Sequence, residues 1–151
     1  MSWLIAQARP DEQNFPLLVH IVGATVMVGG LLTGASLFAF ARGSVALLRL
    51  GYWTLLAVAL PGYIVMRIGA HWIYSKGYDD LEEDPTWLSI GWIVADAGAL
   101  LMLIALIVGG IGVYRLRAGK GAGLLKATMV LAVVILAAAI VAAWAMAGKP
   151  D

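Results

Sequence analysis

The sequence predicts an all-α membrane protein, a four-transmembrane-helix bundle running up-down-up-down with both termini outside the cytoplasm. Composition is the first ground: 62% of the 151 residues are hydrophobic and 13% charged, against roughly 45–50% apolar and about 25% charged in soluble domains. The second is length, since four apolar segments, about 15–41, 47–74, 85–114 and 124–146, each reach the roughly 20 residues a spanning helix needs. The third is charge. Arg42 and Arg49 flank the connection after the first span, and Arg115, Arg117, Lys120 and Lys126 the connection after the third, whereas the opposite side has only Arg9, Lys76 and Lys149. The positive-inside rule then places residues 1–151, as one membrane domain, in the cytoplasmic membrane with the acidic 76–84 connection on the outer side.

The composition also excludes chemistry. Without cysteine there is no disulfide, thiolate metal site, iron-sulfur cluster, covalently attached haem or cysteine nucleophile. A net charge of +1 with no basic run points to no nucleic-acid partner. Met1 to Gln7 carries no basic side chain and the first apolar run is longer than a signal-peptide core, so the first span is expected to persist as a helix.

Ser2 to Ala8 reads as a short interfacial segment, broken by Pro10 to Asn14. Asn14 is a candidate cap and Pro16 a tolerated first-turn residue, so the first helix should start near Phe15. Within it His20, Gly23, Met27, Gly30 and Gly34 recur at spacings of three and four and share one face. Gly30 and Gly34 form a GxxxG pair suited to close approach of another helix.

In the second span Pro61 should kink the helix about halfway along, because it removes a backbone donor and crowds the preceding turn. The span ends in MRIGAHWIYSKGYDD, where Arg67 and His71 are four apart and Trp72, Tyr74 and Tyr78 form an interfacial aromatic belt. The five acids between Lys76 and Pro85 read as a solvated loop rather than a calcium site, lacking the alternating oxygen ligands of a calcium loop. Asp84 and Pro85 make a cap and first-turn pair for the third span.

The third span places Asp96 on a stripe with Ser89, Trp92, Ala99 and Leu103. Its basic, glycine-rich exit at Gly119 to Gly123 lacks the spacing and strand of a phosphate loop and reads as a turn. The fourth span is almost all Ala, Val, Leu and Ile, a composition that favours tight packing.

An ionisable residue inside a span is a functional-site hypothesis by default. At about 1.5 Å per residue, His20 and His71 both lie roughly 6–8 Å inside their helix ends at the outer side. Two level imidazoles on neighbouring helices can supply both axial bonds of a b-type haem. Gly23 would let the macrocycle lie on bare backbone, and Arg67 would pair with a propionate. Arg67 and Asp96, roughly 12 and 16 Å from the outer ends, are alternatively a structural or proton-linked ion pair. The same two imidazoles could instead bridge a copper ion, with Met27 too deep to be a good third ligand.

The stretch Leu18 to Gly34, LVHIVGATVMVGGLLTG, resembles the first helix of CopD-type and HemJ-type membrane domains, in which a histidine precedes a small-residue stretch and a Gly-Gly or Ala-Gly pair. The resemblance implies a haem-linked or copper-linked bundle with His20 as the family-type histidine. The expected function is therefore haem b binding for electron transfer, alone or as a subunit, with a membrane redox protein or quinone as partner, or a second copy of the chain. The alternatives are a non-catalytic accessory or scaffold subunit, using Gly30, Gly34 and the fourth span for packing, and a copper-handling membrane protein.

Overall fold

The computed structural model describes residues 13–78 and 85–148. Its elements are α1 (Asn14–Phe40), α2 (Val45–Thr54), a π-helical turn (Leu55–Ala59), α3 (Leu60–Gly77), α4 (Thr86–Arg115), a 3₁₀ turn (Leu116–Ala118) and α5 (Ala122–Gly148). Together they make four helical segments long and apolar enough to cross a membrane, with α2, the π turn and α3 forming one of them. Large apolar side chains face outward along all four, among them Leu18, Ile64, Ile93, Leu103 and Ile140. That pattern is unfavourable in water and suits lipid.

Helix boundaries reflect local chemistry. α1 starts at Asn14 with Gln13 in the cap position and no side-chain capping bond there, so Asn14 is the first helical residue and not the cap. Ser44 caps α2, its Oγ accepting from the Leu47 N–H at 3.4 Å. Pro85 takes the cap position of α4 and Thr86 opens the helix; Asp84, the expected cap, and the acidic residues 79–84 lie outside the described residues. The disturbance expected at Pro61 appears as the π turn just before it. There the Leu60 N–H reaches back to the Leu55 carbonyl, widening the turn that the pyrrolidine ring would otherwise crowd. After α4 the chain reverses through Gly119 at φ +68°. The Gly119 N–H donates to the Leu116 carbonyl and the Lys120 N–H to the Arg115 carbonyl, the two bonds of a Schellman ending.

α1 packs along α2, the π turn and α3 through glycines on both partners. A Cβ on Gly30 would lie 2.7 Å from the Ala59 nitrogen, one on Gly34 2.7 Å from Leu55 Cδ2, and one on Gly69 2.7 Å from His20 Cα. Gly62 sits equally close to the Met27 backbone. The GxxxG face of α1 is thus covered within the chain, by Ala59 and Leu55. α4 and α5 pack on each other, and α5 also lies on α1.

The solid core occupies the middle of the bundle and the half near the α1–α2 and α4–α5 connections. Leu31, Leu55, Met102, Leu125 and Thr128 are fully buried there. Thr128 satisfies its hydroxyl by donating to the Leu124 carbonyl at 3.0 Å, with the Ala105 carbonyl 3.5 Å away. At the other end, where α3 stops and α4 begins, the facing residues are smaller and a cavity remains.

Candidate functional site

The cavity, about 360 Å³, lies between α1, α3, α4 and α5. Its origin is in the sequence: Ala24, Gly98, Ala139 and Ala142 line it where the core proper carries leucine and methionine, and Trp87 and Trp92 line it as well. A volume of this size is at the lower end of the roughly 300–1,000 Å³ of ligand pockets.

His20 is half-buried and lines this cavity. Its backbone is pressed on Gly69 and its Nδ1 lies 3.0 Å from the Met66 carbonyl oxygen. A carbonyl can only accept, so Nδ1 carries the hydrogen and donates. In the neutral ring Nε2 then keeps its lone pair, as a hydrogen-bond acceptor or a metal ligand.

Arg67 of α3 also lines the cavity. Its Nη2 lies 2.8 Å from Asp96 Oδ1, and its Cζ sits 4.7 Å over the Trp92 ring. Its Nη1 is buried and has no hydrogen-bond partner among the described residues. One residue-turn earlier, the Tyr63 hydroxyl donates to the Ala95 carbonyl at 3.1 Å. These side-chain bridges join α3 to α4 along a stretch where the two backbones do not pack closely. Tyr63 and Arg67 line the cavity and also a shallow, open flank groove formed by α3 residues alone.

The structure does not bring the two imidazoles to one site. His71 is exposed, lines the flank groove and not the cavity, and meets Trp92 edge-on at 4.9 Å between ring centres. The reason is rotational. Gly69 lies on the His20 backbone, and two residues further along a helix turns by about 200°, so His71 points away from α1. Nor is Gly23 available to a macrocycle, since the Met66 backbone covers it. A haem or a bare copper ion shared by His20 and His71 therefore does not fit this arrangement. Among the described residues no three His, Cys, Asp or Glu side chains gather as a metal site.

Tyr63, Met66 and Trp92 belong to the site although the sequence did not single them out for it. Tyr63 precedes Arg67 by four and Trp92 precedes Asp96 by four, so each shares a face with a charged residue. Met66 had no signal, because it contributes a carbonyl.

The chain matches no family model, no curated protein and no solved structure.

Proposed function

We propose that the protein is a multi-pass protein of the cytoplasmic membrane, its four helices alternating in direction and its acidic connection outside, that receives a lipid-soluble amphipathic cofactor in this cavity. Its service is membrane electron transfer, alone or as a subunit of a redox assembly. The observation that supports this most is the cavity of about 360 Å³ itself, lined by small residues together with His20, Tyr63 and Arg67, with the His20 Nδ1 held on the Met66 carbonyl.

A second reading keeps b-type haem, held by His20 alone. Its support is the Nδ1 bond to the Met66 carbonyl, because ligating histidines commonly donate their other ring N–H in this way. His20 would hold the iron and Arg67 a propionate, and the group would supply one-electron chemistry. Copper on the two histidines has no comparable support.

Purification in mild detergent, followed by a visible spectrum and organic extraction, tests both. An extractable redox-active compound retained by the wild type and lost in His20→Ala supports the proposal. A Soret band lost in His20→Ala and kept in His71→Ala selects haem. Protein that neither retains nor takes up any such compound overturns both.

A further inference from the structure

We infer that the α3–α4 flank is the interface of a two-fold dimer of this chain, in which the Arg67–Asp96 pair of one copy meets the same pair of the other with its charges reversed. The inference is independent of what occupies the cavity.

Asp96 stands open on this flank. Its side chain is 66% exposed, although Arg67 holds one of its oxygens at 2.8 Å. Asp96 lies ten residues after the start of α4 and Arg67 ten before the end of α3, about 15 Å deep in each case. The two helix ends are level, since the Tyr78 and Trp87 rings meet there at 5.7 Å between centres. An ionised carboxylate has about four acceptor sites, and acyl chains offer no donor at this depth. Lipid would therefore leave the exposed part of the carboxylate unmatched, which is costly within a span.

The charge of the flank selects its occupant. Arg67 and Asp96 already sum to zero, so a partner helix bringing a lone cation or anion would bury a net charge. What fits is a neutral unit that sets plus against minus and minus against plus at one depth. A second copy is such a unit. Rotation by half a turn about an axis parallel to the helices keeps every depth and exchanges left for right, so α3 of one copy faces α4 of the other. Because Arg67 and Asp96 are level and sit on adjacent helices, each guanidinium then faces the carboxylate of the other copy. Had their depths differed, the rotation would have set them past each other.

Shape agrees. On α3 the flank is a shallow groove lined by Ile64, Arg67, Ile68 and His71 among others. On α4 the exposed Ile93 and Leu100 stand on the same face as Asp96, three residues before it and four after. The two-fold lays that ridge against that groove, and apolar side chains surround the four charges.

The chain has no cysteine, so introduced cysteines report contacts cleanly. Full-length Ile68→Cys and Ile93→Cys, exposed positions on α3 and α4, should crosslink as a mixed dimer when co-expressed in membranes and oxidised. Val22→Cys with Val134→Cys, exposed on α1 and α5, should not. In lipid vesicles, donor- and acceptor-labelled wild type should show energy transfer that falls on dilution with lipid and fits a dimer. Arg67→Met/Asp96→Ala should weaken that dimer about tenfold, because two interhelical polar contacts are lost. Arg67→Asp/Asp96→Arg exchanges the signs and keeps the complementarity, so it should pair with itself and not with wild type, where like charges would face. If that variant is not monodisperse, the cysteine pairs and the neutral variant decide. Wild type that stays monomeric at every lipid ratio overturns the inference, as does crosslinking through α1 and α5 in place of α3 and α4. A neutral variant that dimerises as tightly as wild type, or an exchanged variant that pairs with wild type as tightly as with itself, overturns it equally.

Discussion

Gly23 of α1 lies directly on Met66 of α3: a Cβ built on the glycine would fall 2.7 Å from Met66 Cα. The same residue, Met66, supplies the carbonyl that holds the His20 ring at 3.0 Å. Close backbone packing and the orientation of the candidate ligand are therefore one feature, and disturbing the first should disturb the second.

Gly23→Leu should destabilise the bundle by about 1–3 kcal/mol or more, because the clash is with backbone and cannot be relieved by a rotamer change. Gly29→Ala is the control, since nothing lies within 4 Å of a Cβ at that position; it should stay within about 0.5 kcal/mol of wild type. Thermal unfolding in one detergent compares the two. Equal losses would contradict the packing described.

Asp96→Ala leaves the Arg67 charge without its partner inside the span, a situation worth up to about 2.5–3.5 kcal/mol on insertion scales. The double variant Arg67→Met/Asp96→Ala removes both charges and should be the more stable of the two. A double-mutant cycle of unfolding free energies measures this, and additive losses would show that the two residues act independently.

Thr128→Val removes a buried hydroxyl whose bonds go to the Leu124 and Ala105 carbonyls while keeping the shape. Such a bond within a membrane protein averages about 0.6 kcal/mol. The expected loss is therefore small, about 0.5–1 kcal/mol, whereas Thr128→Leu should lose more by overpacking a fully buried site.

His71→Ala should cost no more than about 0.5–1.5 kcal/mol, the worth of its edge-on contact with Trp92, and should leave ligand retention unchanged. His71→Phe should restore the lost stability. Loss of ligand in His71→Ala equal to that in His20→Ala would instead require the two rings to share a site.

Gly121→Ala should be worse than Gly119→Ala. Both glycines have positive φ, at +101° and +68°, which costs about 1 kcal/mol or more for an L side chain. Only at Gly121 does the new Cβ also run into a carbonyl, that of Gly112. Unfolding midpoints of the two variants give the order.

The four apolar helices were legible in the sequence because apolarity over some 20 residues is a local property, read without knowing any neighbour. Arg67 and Asp96 could be matched because depth follows from residue count, and a long arginine side chain tolerates error in both depth and angle. Gly30 and Gly34 announced a close contact by spacing alone, while their partners Ala59, Leu55 and Gly51 carried no recognisable pattern.

By itself, then, the sequence determined an all-helical, lipid-facing chain, the depths of its charged and imidazole groups, and the small-residue face of α1. Tertiary structure alone decided which way each ring turns, that His20 lines a cavity while His71 faces the flank, and that Gly23 meets backbone. The physical reason is that depth accumulates along one helix, whereas facing depends on how two helices are rotated about their axes. That rotation was settled by the glycines of both helices seeking the closest backbone contact, with Gly69 seated on His20 and Gly23 on Met66.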